Sequence, residues 1–359
     1  MDPSALRAEF PVLERLAYLN AGTDGPLPAR AIAAAERELR RQLREGRAMA
    51  HFQRRGELNA ALRDAYARAL GCSAADVALT TCTTEGMAQT ILGLGLGAGD
   101  EIVTSDEEHP GLLGPLGAVR ELHGVEVREV PLAEVANAVT PRTRLVACSH
   151  VGWMSGSVAP AELAELDVPV LLDGAQGVGA IAVDVLALGC DAYAGAGQKW
   201  LCGSDGTGML FIAPALRERL AVSRRAYVNL ADPGAGLAAR PHEDARRFDT
   251  PSLNAETVAC ALAAVEVLES AGWHAVHERA CSLAARLAER LAEHGREPAP
   301  RGPTTLVSFA SPDPEGERAQ LAEHGVIVRN IPGRPWLRAS VGAWNDEDDL
   351  DRLVRTLSR

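Results

Sequence analysis

From residue 77 onward the chain alternates short apolar segments with stretches of crossover length. The segments are Val77 to Thr80, Glu101 to Ser105, Val125 to Val130, Leu145 to Ser149 and Val168 to Asp173, and a further strand pair is expected at Ala192 to Ala194 and Gly208 to Ile212. Strands joined through helices come back to the sheet in parallel, and a parallel sheet has to be covered on both faces. The class expected is therefore α/β. Upstream, apolar residues recur at helical spacing from Pro28 to Leu43 and from Glu57 to Leu70. Downstream, an alanine- and leucine-rich helical block runs from Ala255 to His294. Strand-like segments then follow at Thr305 to Phe309, Val326 to Arg329 and Trp336 to Ser340. This pattern predicts a large domain over residues 16–254 and a small α/β domain over 255–359, with residues 1–15 packed near the small one. At 359 residues and 47% hydrophobic content, the chain can bury cores of that size.

Composition narrows the classes of function. The net charge is -12, with acidic and basic residues intermixed, so no basic stripe offers itself to nucleic acid. The opening stretch alternates charged and apolar residues instead of reading as a signal peptide, and no run reaches the roughly 18 apolar residues of a membrane span. A soluble, cytoplasmic protein with no membrane partner is expected. Seven cysteines, odd in number and never arranged as C-x-x-C, argue against a disulfide framework or a metal site.

Lysine is the most informative count: Lys199 is the only lysine, and the other 35 basic residues are arginine. An arginine stays protonated and forms no imine, whereas a lysine amine shifts its pKa on burial and attacks carbonyls. A lone lysine is a candidate nucleophile; it is equally a chance survivor on the surface, and its neighbours must decide. Leu171-Leu-Asp-Gly-Ala-Gln176 puts Asp173 at the carboxyl end of an apolar strand, where open α/β sheets bind ligands, although a strand-end aspartate also serves simply to cap a following helix. Lys199 follows one crossover later. A carboxylate and a lysine at neighbouring strand ends meet the needs of pyridoxal 5'-phosphate (PLP), whose ring nitrogen is kept protonated by the first and whose aldehyde is carried by the second. Gln176 is placed to donate to the cofactor's phenolic oxygen.

A phosphate belongs at a helix start. Thr80-Thr-Cys-Thr-Thr-Glu85, between a strand and a helix expected from Gly86 to Leu94, offers Thr83 and Thr84, which read otherwise as an ordinary N-cap. His109, just past a strand, either lies on the cofactor ring and assists proton transfer or is a surface loop histidine. The glycines from Gly93 to Gly99 follow a helix and precede a strand, the reverse of a dinucleotide fingerprint.

With these residues in place, the chain resembles the class V aminotransferase and cysteine desulfurase group of fold-type I PLP enzymes over nearly its whole length. The resemblance rests on Asp173-Gly-Ala-Gln176 and on Gly197-Gln-Lys-Trp200 followed by Gly206-Thr-Gly208. Tyr18-Leu-Asn-Ala21, Thr83-Thr-Glu85, His109, His150-Val151 and Arg338 to Ser340 add to it. It implies a mainly parallel, seven-stranded-type sheet in the large domain. It also implies that Lys199 holds PLP as a Schiff base, Asp173 pairs with the pyridine nitrogen, Gln176 touches the phenolic oxygen and His109 stacks on the ring. Thr84 and Gln198 become phosphate contacts, Arg338 the clamp on the substrate carboxylate, and Asn20 and Trp153 substrate contacts. Thr250 matches the phosphate contact supplied across a homodimer.

Three departures bear on the reaction. Ala196 stands where the family has a phosphate-binding serine, and Trp153 stands at or near the place of an asparagine. No cysteine follows Cys281, so the small-domain thiol that receives sulfur in a desulfurase is missing. The expected activity is a cysteine- or cystine-type carbon–sulfur β-lyase. A class V aminotransferase or amino-acid epimerase is the alternative, and a catalytically inactive PLP-fold binding protein the remote one.

Overall fold

The computed structural model describes residues 2–358. In chain order the first half contains helix α1 (Pro3–Ala8), strand β1 (Ala17–Tyr18), helices α2 (Ala29–Glu45) and α3 (Met49–Leu70), β2 (Val77–Thr80), α4 (Thr83–Gly93), β3 (Glu101–Ser105), α5 (Pro110–His123), β4 (Glu126–Val130) and β5 (Thr143–Ser149). It continues through β6 (Val170–Asp173), β7 (Ala192–Ala196), β8 (Gly208–Ile212) and α6 (Pro214–Arg219). After an irregular stretch come α7 (Ala255–Ala271), α8 (Trp273–Glu293), β9 (Leu306–Ala310), α9 (Pro314–Glu323), β10 (Val326–Ile327), β11 (Arg329–Asn330), β12 (Trp336–Ser340) and α10 (Glu347–Leu357).

Seven strands form one sheet in the order β2-β8-β7-β6-β5-β3-β4, parallel except for β8, which runs against both neighbours. Apart from β4 at the edge, its strands are almost wholly buried, as a sheet covered on both faces requires. One face packs Leu62, Tyr66, Val258 and Val265 from α3 and α7. The other packs Met87, Ile91, Leu112, Leu116 and Leu216 from α4, α5 and α6. The edge strand β4 shows Glu126, Arg128 and Glu129 to solvent, charges that discourage pairing with another chain.

The C-terminal segment makes a second, antiparallel sheet in the order β11-β12-β9, with α8 and α10 sealing Leu283, Leu287, Leu337 and Leu353 against it. The helical block expected from Ala255 to His294 is two helices, broken at Gly272, whose φ of 87° suits glycine. Of these, α7 lies along α2 and α3 on the large sheet, whereas α8 lies on β9. The strand expected from Val326 to Arg329 is also divided: β10 pairs with β1 and β11 pairs with β12. The N-terminal segment is held there too, because Arg7 donates to Asp349 at 2.8 Å and to the Trp344 carbonyl at 3.0 Å. Among the described residues, no helix is long and apolar enough to cross a membrane.

Candidate active site

Parallel strands place their carboxyl ends along one rim, so Thr80, Ser105, Ser149, Asp173 and Ala196, the last residues of five strands, face the same cleft region. The cleft has about 570 Å3 of non-protein space, within the range of small-molecule sites. Its lining includes Thr83, Thr84, His109, Trp153, Asp173, Gln176, Gln198 and Lys199, which bring together eight of the eleven residues singled out from the sequence.

Asp173 ends β6, level with Ser149 of β5 and Ala194 of β7. No helix follows it to be capped; its carboxylate accepts only the Ala175 N–H, at 2.9 Å, within a tight turn. Burial raises its pKa, while the Lys199 charge and the Ala175 N–H pull the other way. Lys199 stands just beyond β7, in a turn closed by Cys202 and Gly203 donating back to Lys199 and Gly197. Cys202 has φ 56°, the only positive φ outside glycine among the described residues, so the turn is tightly constrained. Burial brings the Lys199 amine down to about 8 against the opposing pull of Asp173. The turn from Gly22 to Gly25 lies over this lysine: Gly25 N–H donates to the Gln198 carbonyl at 2.7 Å, and a Cβ on Gly25 would meet the Lys199 carbonyl at 2.0 Å.

At the start of α4, the structure differs from the expected helix beginning at Gly86. Cys82 is the extended N-cap, and Thr83 and Thr84 already form the first turn. No side chain caps this end, and Glu85 instead turns back to Thr81 N–H at 2.7 Å. Thr83 Oγ1 and Gln198 Oε1 are buried without a hydrogen-bond partner. His109 N-caps α5, its Nδ1 accepting the Gly111 N–H at 3.0 Å, and its ring meets Trp153 edge-on at 4.9 Å. Burial, followed by the Lys199, Arg329 and Arg338 charges, lowers the His109 pKa to about 4, so the ring is neutral. Gln176 is shared between Gly22, whose carbonyl accepts from Nε2 at 2.8 Å, and Trp200, whose Nε1 donates to Oε1 at 3.0 Å. One Nε2 hydrogen remains for the cleft.

The other wall comes from farther away in the chain. Arg338 on β12 is fully buried and donates to the Trp153 carbonyl at 2.5 Å. Arg329 on β11 and Arg338 lie 5.5 and 5.9 Å from the centre of the Trp153 ring, and both reach Thr23 Oγ1, at 3.4 and 3.5 Å. Among the described residues, neither guanidinium is paired with a carboxylate. Burial brings Arg338 down to about 9, which still leaves it charged at neutral pH.

Three expected site residues are absent from the cleft lining: Arg338, which stands behind Trp153 as described, and Asn20 and Thr250. The Asn20 side chain accepts from Thr23 Oγ1 at 2.9 Å and braces the turn over the cleft. Thr250 donates its N–H to the Leu79 carbonyl at 2.8 Å, away from its own chain's cleft. It is held there by Asp249, whose carboxylate takes both guanidinium nitrogens of Arg63 at 2.9 and 2.7 Å.

A family model for class V aminotransferases matches residues 17–353. The chain belongs to the class V aminotransferase family. Its fold is the fold-type I architecture, and the protein is an enzyme. Two solved structures superimpose with TM-scores of 0.91: a C-DES mutant with glycine covalently linked to the PLP cofactor (28% identical, covering 98% of each chain) and the cystine C–S lyase C-DES with its product cysteine persulfide (27% identical, covering 97% of this chain and 99% of that one). Among sequence relatives, isopenicillin N epimerase of Streptomyces clavuligerus is 29% identical over 94% of this chain and 93% of its own length. Cysteine desulfurase of Salmonella agona is 28% identical over 99% and 97%.

In this member of the class V aminotransferase family, the residues not singled out from the sequence are Ser149, which lines the cleft beside Asp173, Arg329, which lies over the Trp153 ring, and Thr23, which lies within reach of both arginines. Ser149 carries a usable signal, since it ends a predicted strand in the same way as Asp173. Thr23 and Arg329 fall in the two loops, Gly22 to Pro28 and Arg329 to Trp336, that the sequence suggests as pocket walls, but nothing local picks out the individual residues, because they meet each other across more than 300 positions.

Proposed function

We propose that this enzyme binds PLP on Lys199 and cleaves the carbon–sulfur bond of a cystine-like amino acid carrying two carboxylates. The observation that carries the reading is the pair of arginines flanking Trp153 at the Lys199 cleft: among the described residues Arg338 forms no ion pair, and Arg329 has only the more distant Asp24. A buried guanidinium without a counter-ion is costly, and a bidentate carboxylate is its natural complement.

The residues present suit PLP. The uncapped start of α4, unpartnered Thr83 Oγ1, Thr84 and the free amide end of Gln198 are suited to the phosphate. Asp173 suits the ring nitrogen, Gln176 the phenolic oxygen and the neutral His109 ring a cofactor face. When bound, PLP supplies an electron sink for charge released at the substrate α-carbon. Lys199 Nζ, with its lowered pKa, is the base placed to take the α proton and to pass it to the departing sulfur. His109 is poorly suited to that task, since its Nδ1 is engaged by Gly111 and its pKa is low. Arg338 orients the α-carboxylate, and Arg329 takes the distal one. The segment from Val328 to Ser340 has no thiol to accept sulfur, so the sulfur leaves with its electron pair on the departing fragment.

A homodimer is supported by exposed Phe52 and Tyr227, 53% and 79% accessible, on the face that carries Asp249 next to Thr250. Thr250 then reaches the second subunit's phosphate site. Residues 16–254 and 255–359 are read as the large and small domains with two corrections: α7 packs with α2 and α3 on the large sheet and so belongs to the large domain, and β1 pairs with β10 of the small one. Seven free cysteines support a reducing, cytoplasmic setting.

The test offers the PLP-loaded protein L-cystine, L-cysteine and a set of other L-amino acids, with products followed by mass spectrometry. Pyruvate and ammonia from cystine, with Arg329→Gln weakening cystine more than monocarboxylate substrates, are expected. A keto acid together with an aminated cofactor would make it an aminotransferase, inversion at the α-carbon an epimerase, and no turnover of any amino acid a binding protein.

A further inference from the structure

Behind Asp173 lies a second buried carboxyl group that the proposed chemistry leaves unused. Glu108, 4% exposed, fills the gap between the ends of β3 and β5. Its Oε1 accepts the Ser149 N–H at 2.8 Å and a short hydrogen bond from Ser105 Oγ, and its Oε2 lies 2.7 Å from Ser149 Oγ. Ser149 stands level with Asp173 across the sheet and lines the cleft.

The charged and titratable groups around Glu108 are few. Asp173 on β6 faces it, Cys148 lies beside Ser149 on β5, and His109, neutral, follows it into α5. Lys199, beyond Asp173, provides the local positive charge. Glu107 turns the other way, toward the Ser155 N–H at 3.2 Å. Two carboxyl groups sharing a low-dielectric pocket do not both ionise readily. Asp173 has Lys199 to favour its charge, whereas all three partners of Glu108 are neutral. The proton therefore belongs on Glu108.

We propose that Glu108 is a positioning residue that, in its uncharged form, donates its carboxyl hydrogen to Ser149 Oγ, turning the Ser149 hydroxyl hydrogen into the cleft beside Asp173. Ser149 thereby becomes a donor toward the ring bound there, and Asp173 keeps its negative charge without competition from Glu108. The role toward a bound ring rests on the PLP reading; the location of the proton does not. Burial raises the Glu108 pKa to about 7, so the arrangement is complete below neutrality and is lost as pH rises through that value.

Infrared spectroscopy of the cofactor-free protein in heavy water reads the proton directly. A neutral carboxylic-acid carbonyl band is expected, fading as pH rises through about 7. It should be missing in Glu108→Gln and retained in Asp173→Asn. Absence of the band from the wild type, or its loss in Asp173→Asn instead, overturns the proposal. Because Glu108→Gln keeps shape and can donate, it should bind PLP within about threefold of wild type with a flatter pH dependence, whereas Ser149→Ala should bind about tenfold more weakly. Equal affinity in Ser149→Ala would remove the hydroxyl's role. Failure of the wild type to bind PLP would sink the functional reading while the infrared result still judged Glu108.

Discussion

Asp173 and Lys199 sit at the ends of neighbouring parallel strands, on backbone whose hydrogen bonds are made within one sheet, whereas Trp153, Arg329 and Arg338 meet from a loop and two strands of a different sheet. The first wall is internally supported: Asp173 has Ala175 and Lys199, and the Lys199 turn closes on itself. The second wall is not. Among the described residues, Trp153 Nε1, Arg338 Nε and Ser340 Oγ are buried without partners and neither arginine forms an ion pair, although Asp24 lies near enough to Arg329 for each to favour the other's charge. Thr83 Oγ1 and Gln198 Oε1 are unpartnered on the first wall as well, so both walls hold polar groups that a bound molecule would satisfy; the difference lies in the charges, since Asp173 and Lys199 offset each other whereas, among the described residues, no ion pair offsets Arg338.

Four measurements can break or sharpen this contrast. The largest effect belongs to Lys199→Arg, which keeps the charge but removes the nucleophile. Borohydride reduction followed by mass spectrometry should find no covalent adduct, and activity should fall by on the order of 10³-fold or more. An adduct in that variant would remove Lys199 from its role. Next comes Arg338→Met. Losing a charge-assisted carboxylate contact should lower kcat/KM roughly 10- to 100-fold, yet removing an unpaired buried charge should leave the ligand-free protein at least as stable in a thermal melt. A marked loss of stability would mean that Arg338 is structural.

Arg329→Gln, on the more open side of Trp153, should cost about tenfold with dicarboxylate substrates and little with monocarboxylates, as read from paired kcat/KM values. Equal losses with both would deny it a substrate role. The smallest effect is kinetic: the apo-protein's rate of cofactor uptake should rise with pH through about 8 and then level, because only the neutral amine attacks. On stability the sign follows from the lowered pKa. Between that value and the ordinary lysine range the unfolded chain binds more protons, so the apo-protein gains stability as pH rises across that window.

The sequence by itself determined the parallel sheet, since strand and crossover lengths are local properties. It also determined the candidacy of Asp173, Gln176 and Lys199, which a strand end and its following turn carry into the cleft wherever such a sheet forms. Element boundaries were less legible. The first turn of α4 starts at Thr83 because the extended backbone of Cys82 ends the preceding turn, and the break at Gly272 depends on a single glycine inside an otherwise uninterrupted helical pattern. Tertiary structure alone decided that Arg338 meets the carbonyl of Trp153, 185 positions away, and that Thr23 comes within reach of both arginines while Asn20 is used to brace it. Tertiary structure also decided that Glu108 lies behind Ser149 rather than in solvent. Periodicity records which face of an element is buried, but it holds no information on which distant side chain will share that burial, and the polar half of this cleft is made of such pairs.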